Sequence, residues 1–509
     1  MSQHNAHSKE ETHDFLPFNI RKDSHKKLKS ERKDSSSFED ENKKKDVIGN
    51  LTELQQTQNL NDKEKNSMKL NEPMKNSETV EFNEDMFLVP EQLFLSNTGS
   101  DNCIAMKYKE QNVKTAYKIY IYELAENFNV RLAMCMSSIR TDSCGFGIPF
   151  ESKYDFPGIA FHATWQFSLD IIIHHKLMFS PYRTLNPEEA DVFFIPFYEA
   201  SHCFCKNTHN TSFNGLILEK ALEKEIMHWP YYRQGKPHLL AIGKIEKEES
   251  SNHCPLLTYP WTWNITAIGI EASDFYRNPA DKRRVTTHPL PPFIVVPYPS
   301  YGHFTEPSGG QYRHKIFSHK RRNFILIAAS TTRANPFRNK ILDEFHNSTK
   351  QMMDDYYEKM NYTKDHVINS MWAITGDNIG VKTVIDWMQN SVFCLQPAGD
   401  SPTRKSVYDA IVCGCIPVFF ALDYQPVVTW PFHDILNYSD FSVTVPQGMN
   451  FRDILEPYKH NRQKIKALQQ GLHAVMPMMQ YSFPLDNKPH KDAVNMILEQ
   501  IGRSLKLTD

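Results

Sequence analysis

The sequence predicts an α/β protein built from two doubly wound, Rossmann-like halves. Three observations carry this expectation. Dense apolar runs such as "DVFFIPF" and "SVFCLQ" are fit for buried parallel strands. Stretches with helical spacing alternate with them, the pattern of βαβ units. A break near 305 to 322, holding Pro307, Gly309 and Gly310, divides the series in two.

Residues 1–110 carry Lys, Glu, Asp, Asn and Ser with few aromatics and no hydrophobic period, which predicts a disordered polar arm or stem. Order is expected from about Lys118, and a first domain over 115–308. There "KIYIYEL" alternates like a strand, and 162–177, "HATWQFSLDIIIHHKL", sets Trp165, Phe167, Leu169, Ile172 and Ile173 on a broad helical face. Val192 to Tyr198, "HLLAIG" and "PFIVVPYP" supply further strands. A second domain is expected over 320–480. It opens with the strand "NFILIAAS", followed by a helix from Arg338 to His346, a polar helix from Lys350 to Met360 and the strand "SVFCLQP". A closing helix over 481–509 places Val494, Ile497, Leu498, Ile501 and Leu505 on one stripe.

The densest chemistry lies in "FCLQPAGDSPTRKSVYDAIVCGCIPVFF", from Phe393 to Phe420. Ser401 reads as an N-cap, Pro402 as the first helical residue and Gly414 as the helix terminator. The loop "PAGDSPTR" then falls at the carboxyl end of a strand, where open α/β sheets bind ligands. Helix N–H groups, Ser401, Thr403, Arg404 and Lys405 together suit a phosphate or pyrophosphate. An ordinary capped helix with a basic turn fits these residues as well.

Composition narrows the function classes. With 58 Lys+Arg against 60 Asp+Glu in 509 residues, there is no electrostatic case for nucleic acid. Neither G-x-G-x-x-G nor G-x-x-x-x-G-K-[ST] occurs, which argues against dinucleotide oxidoreductases and P-loop kinases. The nine cysteines show no paired CxxC spacing for zinc. Cys394 and Cys413, in apolar runs, are expected as buried thiols. Cys135, Cys144, Cys203, Cys205 and Cys254 are candidates for disulfides, and the odd total leaves at least one cysteine free. Sequons at Asn50, Asn210, Asn264, Asn347, Asn361 and Asn437 point toward the secretory route. No signal peptide or stretch of 18 apolar residues is apparent, so no membrane anchor is expected in this sequence.

The Phe393–Phe420 stretch resembles the signature of the exostosin-type glycosyltransferases of family 47, which include the plant xyloglucan galactosyltransferases. "ATWQFSLDII", "NPEEADVFFIPFYEA", "VVPYPSYGHF" and "RRNFILIAASTTRANPFRNKIL" resemble further elements of that family, so the likeness spans about 118 to 480. Two departures stand out: the family's N-terminal anchor is absent, and Phe304 replaces a usual proline. The resemblance implies a GT-B fold with the acceptor on the first half and the nucleotide sugar on the second. It implies an inverting transfer from a UDP-sugar, the co-substrate, without an essential metal or other cofactor. It also implies a glycan or polysaccharide acceptor, galactose as a candidate sugar, and a Golgi lumenal or Golgi membrane location with membrane association. The absence of any Asp-x-Asp, the carboxylate pair that carries Mn²⁺ or Mg²⁺ in metal-dependent transferases, is independent support.

An inverting transfer needs a base for the acceptor hydroxyl. Glu271, in "GIEASDF", matches a Glu of the galactosyltransferase branch and is the first candidate, followed by Asp274 and His162. Arg338, Arg404, Lys405 and the helix start at Ser401 are candidates to neutralise the diphosphate. Gly399 and Thr403 belong to the same loop, Asp400 either binds the donor sugar or caps the loop, and Asp409 matches the position of an acid that binds the nucleotide ribose. Two alternatives stand: a catalytically silent, lectin-like or chaperone-like glycan binder of the same fold, and a phosphate-binding α/β protein unrelated to sugars.

Overall fold

Two parallel sheets organise the chain. The structure is a computed structural model and describes residues 114–137, 144–154, 156–208, 215–245, 256–273, 292–329, 336–345, 371–374, 380–399, 401–421, 428–483 and 491–508. The first sheet holds β1 (Ile119–Ile121), β2 (Arg183–Thr184), β3 (Val192–Ile195), β4 (His238–Ile242), β5 (Thr266–Gly269) and β6 (Phe293–Val295). Their order is β2-β1-β3-β4-β5-β6 and every pairing is parallel. The residues of β3, β4 and β5 are all buried, which is why these strands read as continuous apolar runs and not as alternating ones.

The second sheet holds β7 (Asn323–Ala328), β8 (Met371–Ile374), β9 (Ser391–Leu395), β10 (Ile416–Phe420) and β11 (Val443–Val445). Its order is β8-β7-β9-β10-β11, again all parallel. Each sheet therefore repeats one pattern, with the first strand flanked by the second on one side and the third on the other. The place between first and third strands, where the winding of the chain reverses, is the topological switch point, where ligands of doubly wound sheets bind beyond the strand ends.

The chain crosses between the halves more than once. The break at 305–322 is expected as a linker but contains a helix, Gly310–Ser318, that buries Tyr312 and Ile316. The Tyr312 hydroxyl donates to Val412 O at 2.9 Å, so packing against the second half turns this Gly/Pro-rich connection into structure. The closing helix, Ala493–Ser504, has its N-cap at Asp492 and buries Val494, Ile497, Leu498 and Ile501 as its stripe predicts. It returns to the first half: Tyr117 donates to Leu498 O at 2.6 Å, and Lys176 meets Asp492 at 3.2 Å in a buried ion pair.

Two further expectations are corrected. Helical spacing over 162–177 predicts one helix, yet Ile159–His162 is a strand and the helix is Leu169–Met178. The strand pairs antiparallel with Gly302–Phe304, and this long-range backbone pairing overrides the local periodicity. Cys394 is not a thiol but is disulfide-bonded to Cys415, because β9 and β10 run side by side and put Cys394 opposite Pro417. Among the described residues Cys413 is a buried free thiol, and Cys144, Cys203 and Cys205 are disulfide-bonded. The described part of the expected helix from Arg338 spans 336–345, while the polar arm and the polar helix at 350–360 lie outside the described residues.

Candidate functional site

The loop after β9 meets the end of β7 at the switch point of the second sheet. Arg404 ties the two strand ends together: one guanidinium nitrogen, Nη2, donates to Ala328 O at 2.8 Å and the other, Nη1, to Pro397 O at 3.0 Å. Arg338 approaches from the preceding helix, and its Nε donates to Ala398 O at 3.0 Å. Burial, with the Arg338 charge as a second cause, holds the Arg404 guanidinium down at about 9. A fold that sets two like charges on one strand-end loop places there a natural partner for an anion. Gly399 makes room for the Arg338 guanidinium, since a Cβ at this position would lie 2.3 Å from Arg338 Nη2.

The helix that follows starts later than the sequence predicts. It spans Lys405–Val412, with Arg404 extended as N-cap (φ −154°, ψ 139°) and without a side-chain cap. Ser401 is thus not the cap, and its hydroxyl donates to Thr403 O at 3.3 Å. The reason is tertiary: Thr403 and Arg404 direct their side chains to Glu271 and to the strand ends, which holds the loop out of the helix. The far end agrees with the sequence, as Gly414 takes the left-handed conformation (φ 67°) past the last turn.

Lys405 and Asp409 form a buried ion pair on this helix. Lys405 Nζ lies 2.9 and 3.0 Å from the two Asp409 oxygens, and Tyr301 N donates to Oδ1 at 2.8 Å. The ammonium also sits 2.9 Å from the centre of the Tyr301 ring. Burial lowers Lys405 to about 8, with Asp409 opposing, and burial raises Asp409, with Lys405 opposing. The Lys405 charge is therefore matched within the chain. Two further positive charges, Arg338 and Arg404, stand at the loop.

Glu271 reaches the same loop from the first half. It follows β5, is 1% exposed, and accepts a short hydrogen bond from the Thr403 hydroxyl through Oε2. The Tyr298 hydroxyl stands 3.0 Å from Thr403 Oγ1. Burial first, and then Glu271, push the Tyr298 and Tyr408 hydroxyls well above the usual phenol range, so both stay neutral. His162 is buried, with Nδ1 3.0 Å from Gly147 O and its ring 5.8 Å from the ring of His303. Burial lowers His303 first, and His162 adds to the effect. The structure thus brings Arg338, Gly399, Ser401, Thr403, Arg404, Lys405 and Asp409 to one loop and helix, and Glu271 against it. Asp274 and Asp400 lie outside the described residues.

Sequence reasoning assigns no role to Tyr298 or Tyr301, although both fall in the quoted "VVPYPSYGHF". Their contacts with Thr403 and Asp409 join residues more than a hundred positions apart, and no local pattern announces that. The Lys405–Asp409 pair did leave a signal, its i,i+4 spacing on a helix. Among the described residues, no group of three or more His, Cys, Asp or Glu is arranged to hold a metal ion.

The family is identified by comparison with known sequences. The exostosin GT47 domain matches residues 114–455. The chain is 28% identical over 320 residues to the xyloglucan-specific galacturonosyltransferase 1 of Arabidopsis thaliana, covering 59% of this chain and 43% of the relative. It is 26% identical to the xyloglucan galactosyltransferase MUR3 of the same plant, covering 75% and 61%, and 26% identical to its probable xyloglucan galactosyltransferase GT15, covering 79% and 86%. The chain spans about half the length of the first curated relatives it matches. Among solved structures, it is similar to a sucrose-phosphate synthase from Thermosynechococcus elongatus (8% identity, 77% and 99% covered, TM-score 0.31). An alpha-glucosyltransferase in complex with UDP is similar at the same TM-score, 0.31, with 11% identity and 62% and 81% covered.

Proposed function

Since this chain belongs to the exostosin GT47 family, we propose that it is a GT-B-type glycosyltransferase that transfers a sugar from a UDP-sugar to a glycan or polysaccharide acceptor. One observation supports this above the rest. The paired guanidinium groups of Arg338 and Arg404 stand at the switch point of the second sheet, and a buried carboxylate from the first half, Glu271, meets the same loop. An anion site and a proton acceptor side by side are what glycosyl transfer from a nucleoside diphosphate requires.

In this reading Arg404 and Arg338 neutralise the diphosphate as the bond to the sugar breaks. Glu271 takes the proton of the acceptor hydroxyl while that oxygen attacks the anomeric carbon, which inverts its configuration. The leaving diphosphate departs with the bonding electron pair, and guanidinium groups held by backbone carbonyls meet that charge without reorganising. No metal step is assigned, because the sequence contains no Asp-x-Asp. Lys405 and Asp409 hold the helix against Tyr301, and contact with the nucleotide ribose would require Asp409 to share its oxygens. The names of the relatives make xyloglucan the first acceptor to try and galactose the first sugar. The disulfides support an oxidising compartment, in keeping with a Golgi lumenal or membrane location.

A screen of radiolabelled UDP-sugars against xyloglucan oligosaccharides tests the proposal. It predicts transfer from one UDP-sugar, strongly reduced in Arg404→Ala. UDP binding without turnover of any donor would favour the silent glycan binder, and no UDP binding at all would refute the site.

A further inference from the structure

We propose that Thr403 is a positioning residue for Glu271, buttressed by Tyr298, so that the donor loop itself sets the orientation and charge of the base. The inference rests on the reading of Glu271 as that base.

The geometry is a short buried chain: Glu271, Thr403 and Tyr298 are 1%, 4% and 3% exposed. A threonine hydroxyl has one proton and two lone pairs. Thr403 gives its proton to Glu271 Oε2, and Tyr298, 3.0 Å from Thr403 Oγ1, donates to the oxygen thus left as acceptor. The Thr403 proton is thereby committed to Glu271. With the group buried, water offers Glu271 Oε2 no substitute donor, and a bond donated to a carboxylate favours its charged, proton-accepting form. Threonine suits the task because its β-branch restricts χ1.

Among the described residues, the tyrosines that feel the Glu271 charge are Tyr298, after β6, and Tyr408, on the donor helix. Both stay neutral through the working range. Thr403 also adjoins Arg404, which spans the two strand ends. A Thr403 proton committed to Glu271 is also not given to a phosphate oxygen, so this residue serves the base and not the diphosphate.

The experiment compares Thr403→Val, which keeps the shape without the hydroxyl, with Thr403→Ser, which keeps the hydroxyl. Turnover of UDP-galactose with a xyloglucan oligosaccharide is followed across pH. Infrared titration follows the carboxyl band that disappears in Glu271→Gln. Thr403→Val is expected to lower kcat about tenfold or more, the scale of a lost charge-assisted bond, with KM for UDP-galactose within about twofold. Its acid limb and its carboxyl band both move to higher pH, and Thr403→Ser restores most of each. An unmoved band in a folded Thr403→Val protein, or a serine variant as impaired as the valine one, overturns the inference. Failure of the base assignment reads differently: Glu271→Gln then keeps full turnover while the Thr403→Val band still shifts, which upholds the positioning contact alone.

Discussion

Replacing Arg404 by alanine isolates the anion site. A guanidinium carries five N–H donors. Two of them go to Ala328 O and Pro397 O, at 2.8 and 3.0 Å, which aims the group across the switch point and leaves three for a ligand. A bond from a charged donor to a diphosphate oxygen contributes about 1.5–3 kcal/mol net. Arg404→Ala should therefore weaken UDP binding roughly 10- to 150-fold by titration calorimetry. The apo protein responds less. It loses two hydrogen bonds to carbonyls, but also the repulsion from Arg338 that helps to hold Arg404 at about 9. Its melting temperature should move by only a few degrees, while the rise produced by UDP largely disappears. Arg404→Lys keeps the charge but cannot span both carbonyls, and should fall between alanine and wild type. UDP affinity unchanged in a folded Arg404→Ala protein would refute the assignment of the diphosphate to this loop.

Three further outcomes follow from the geometry. Gly399→Ala would put a Cβ 2.3 Å from Arg338 Nη2, so it should displace that guanidinium and weaken UDP binding in calorimetry without unfolding the protein. His238 is held down at about 4 by burial, below its ordinary 6.5, so as pH falls the unfolded chain takes the proton first. The stability this contributes is complete above about pH 6.5 and is lost down to about pH 4. Wild type measured against His238→Gln by urea denaturation should therefore lose up to about 3 kcal/mol across that window. Removing the Cys394–Cys415 disulfide, which spans 21 positions, should cost about 3 kcal/mol in the same assay through the freed unfolded chain, and equal stability of Cys394→Ala/Cys415→Ala would contradict that.

The parts of the fold legible in the sequence are those written locally. The buried strands β3, β4 and β9 stand out as apolar runs, and Gly414 ends its helix where the pattern says it must. The candidate anion loop was legible as a loop too, since Thr403, Arg404 and Lys405 follow a strand within ten positions. Whatever depends on the two halves meeting was not. Glu271 and Thr403 are 132 positions apart, so only a likeness to known enzymes could single out Glu271, and nothing singled out Tyr298. The same holds for the helix start: Ser401-Pro402 has the chemistry of a cap, but contacts of Thr403 and Arg404 outside the helix move its beginning to Lys405. Cys394 reads as a thiol because its partner becomes visible only once β9 and β10 are aligned.

The most direct test of the account is the anomeric configuration of the product formed from UDP-α-galactose and a xyloglucan oligosaccharide in the presence of EDTA, read by proton NMR. Glu271 acting as base opposite a diphosphate neutralised by Arg338 and Arg404 predicts a β-linked product formed at nearly the rate seen without EDTA. An α-linked product, or transfer abolished by EDTA and restored by Mn²⁺, would contradict it.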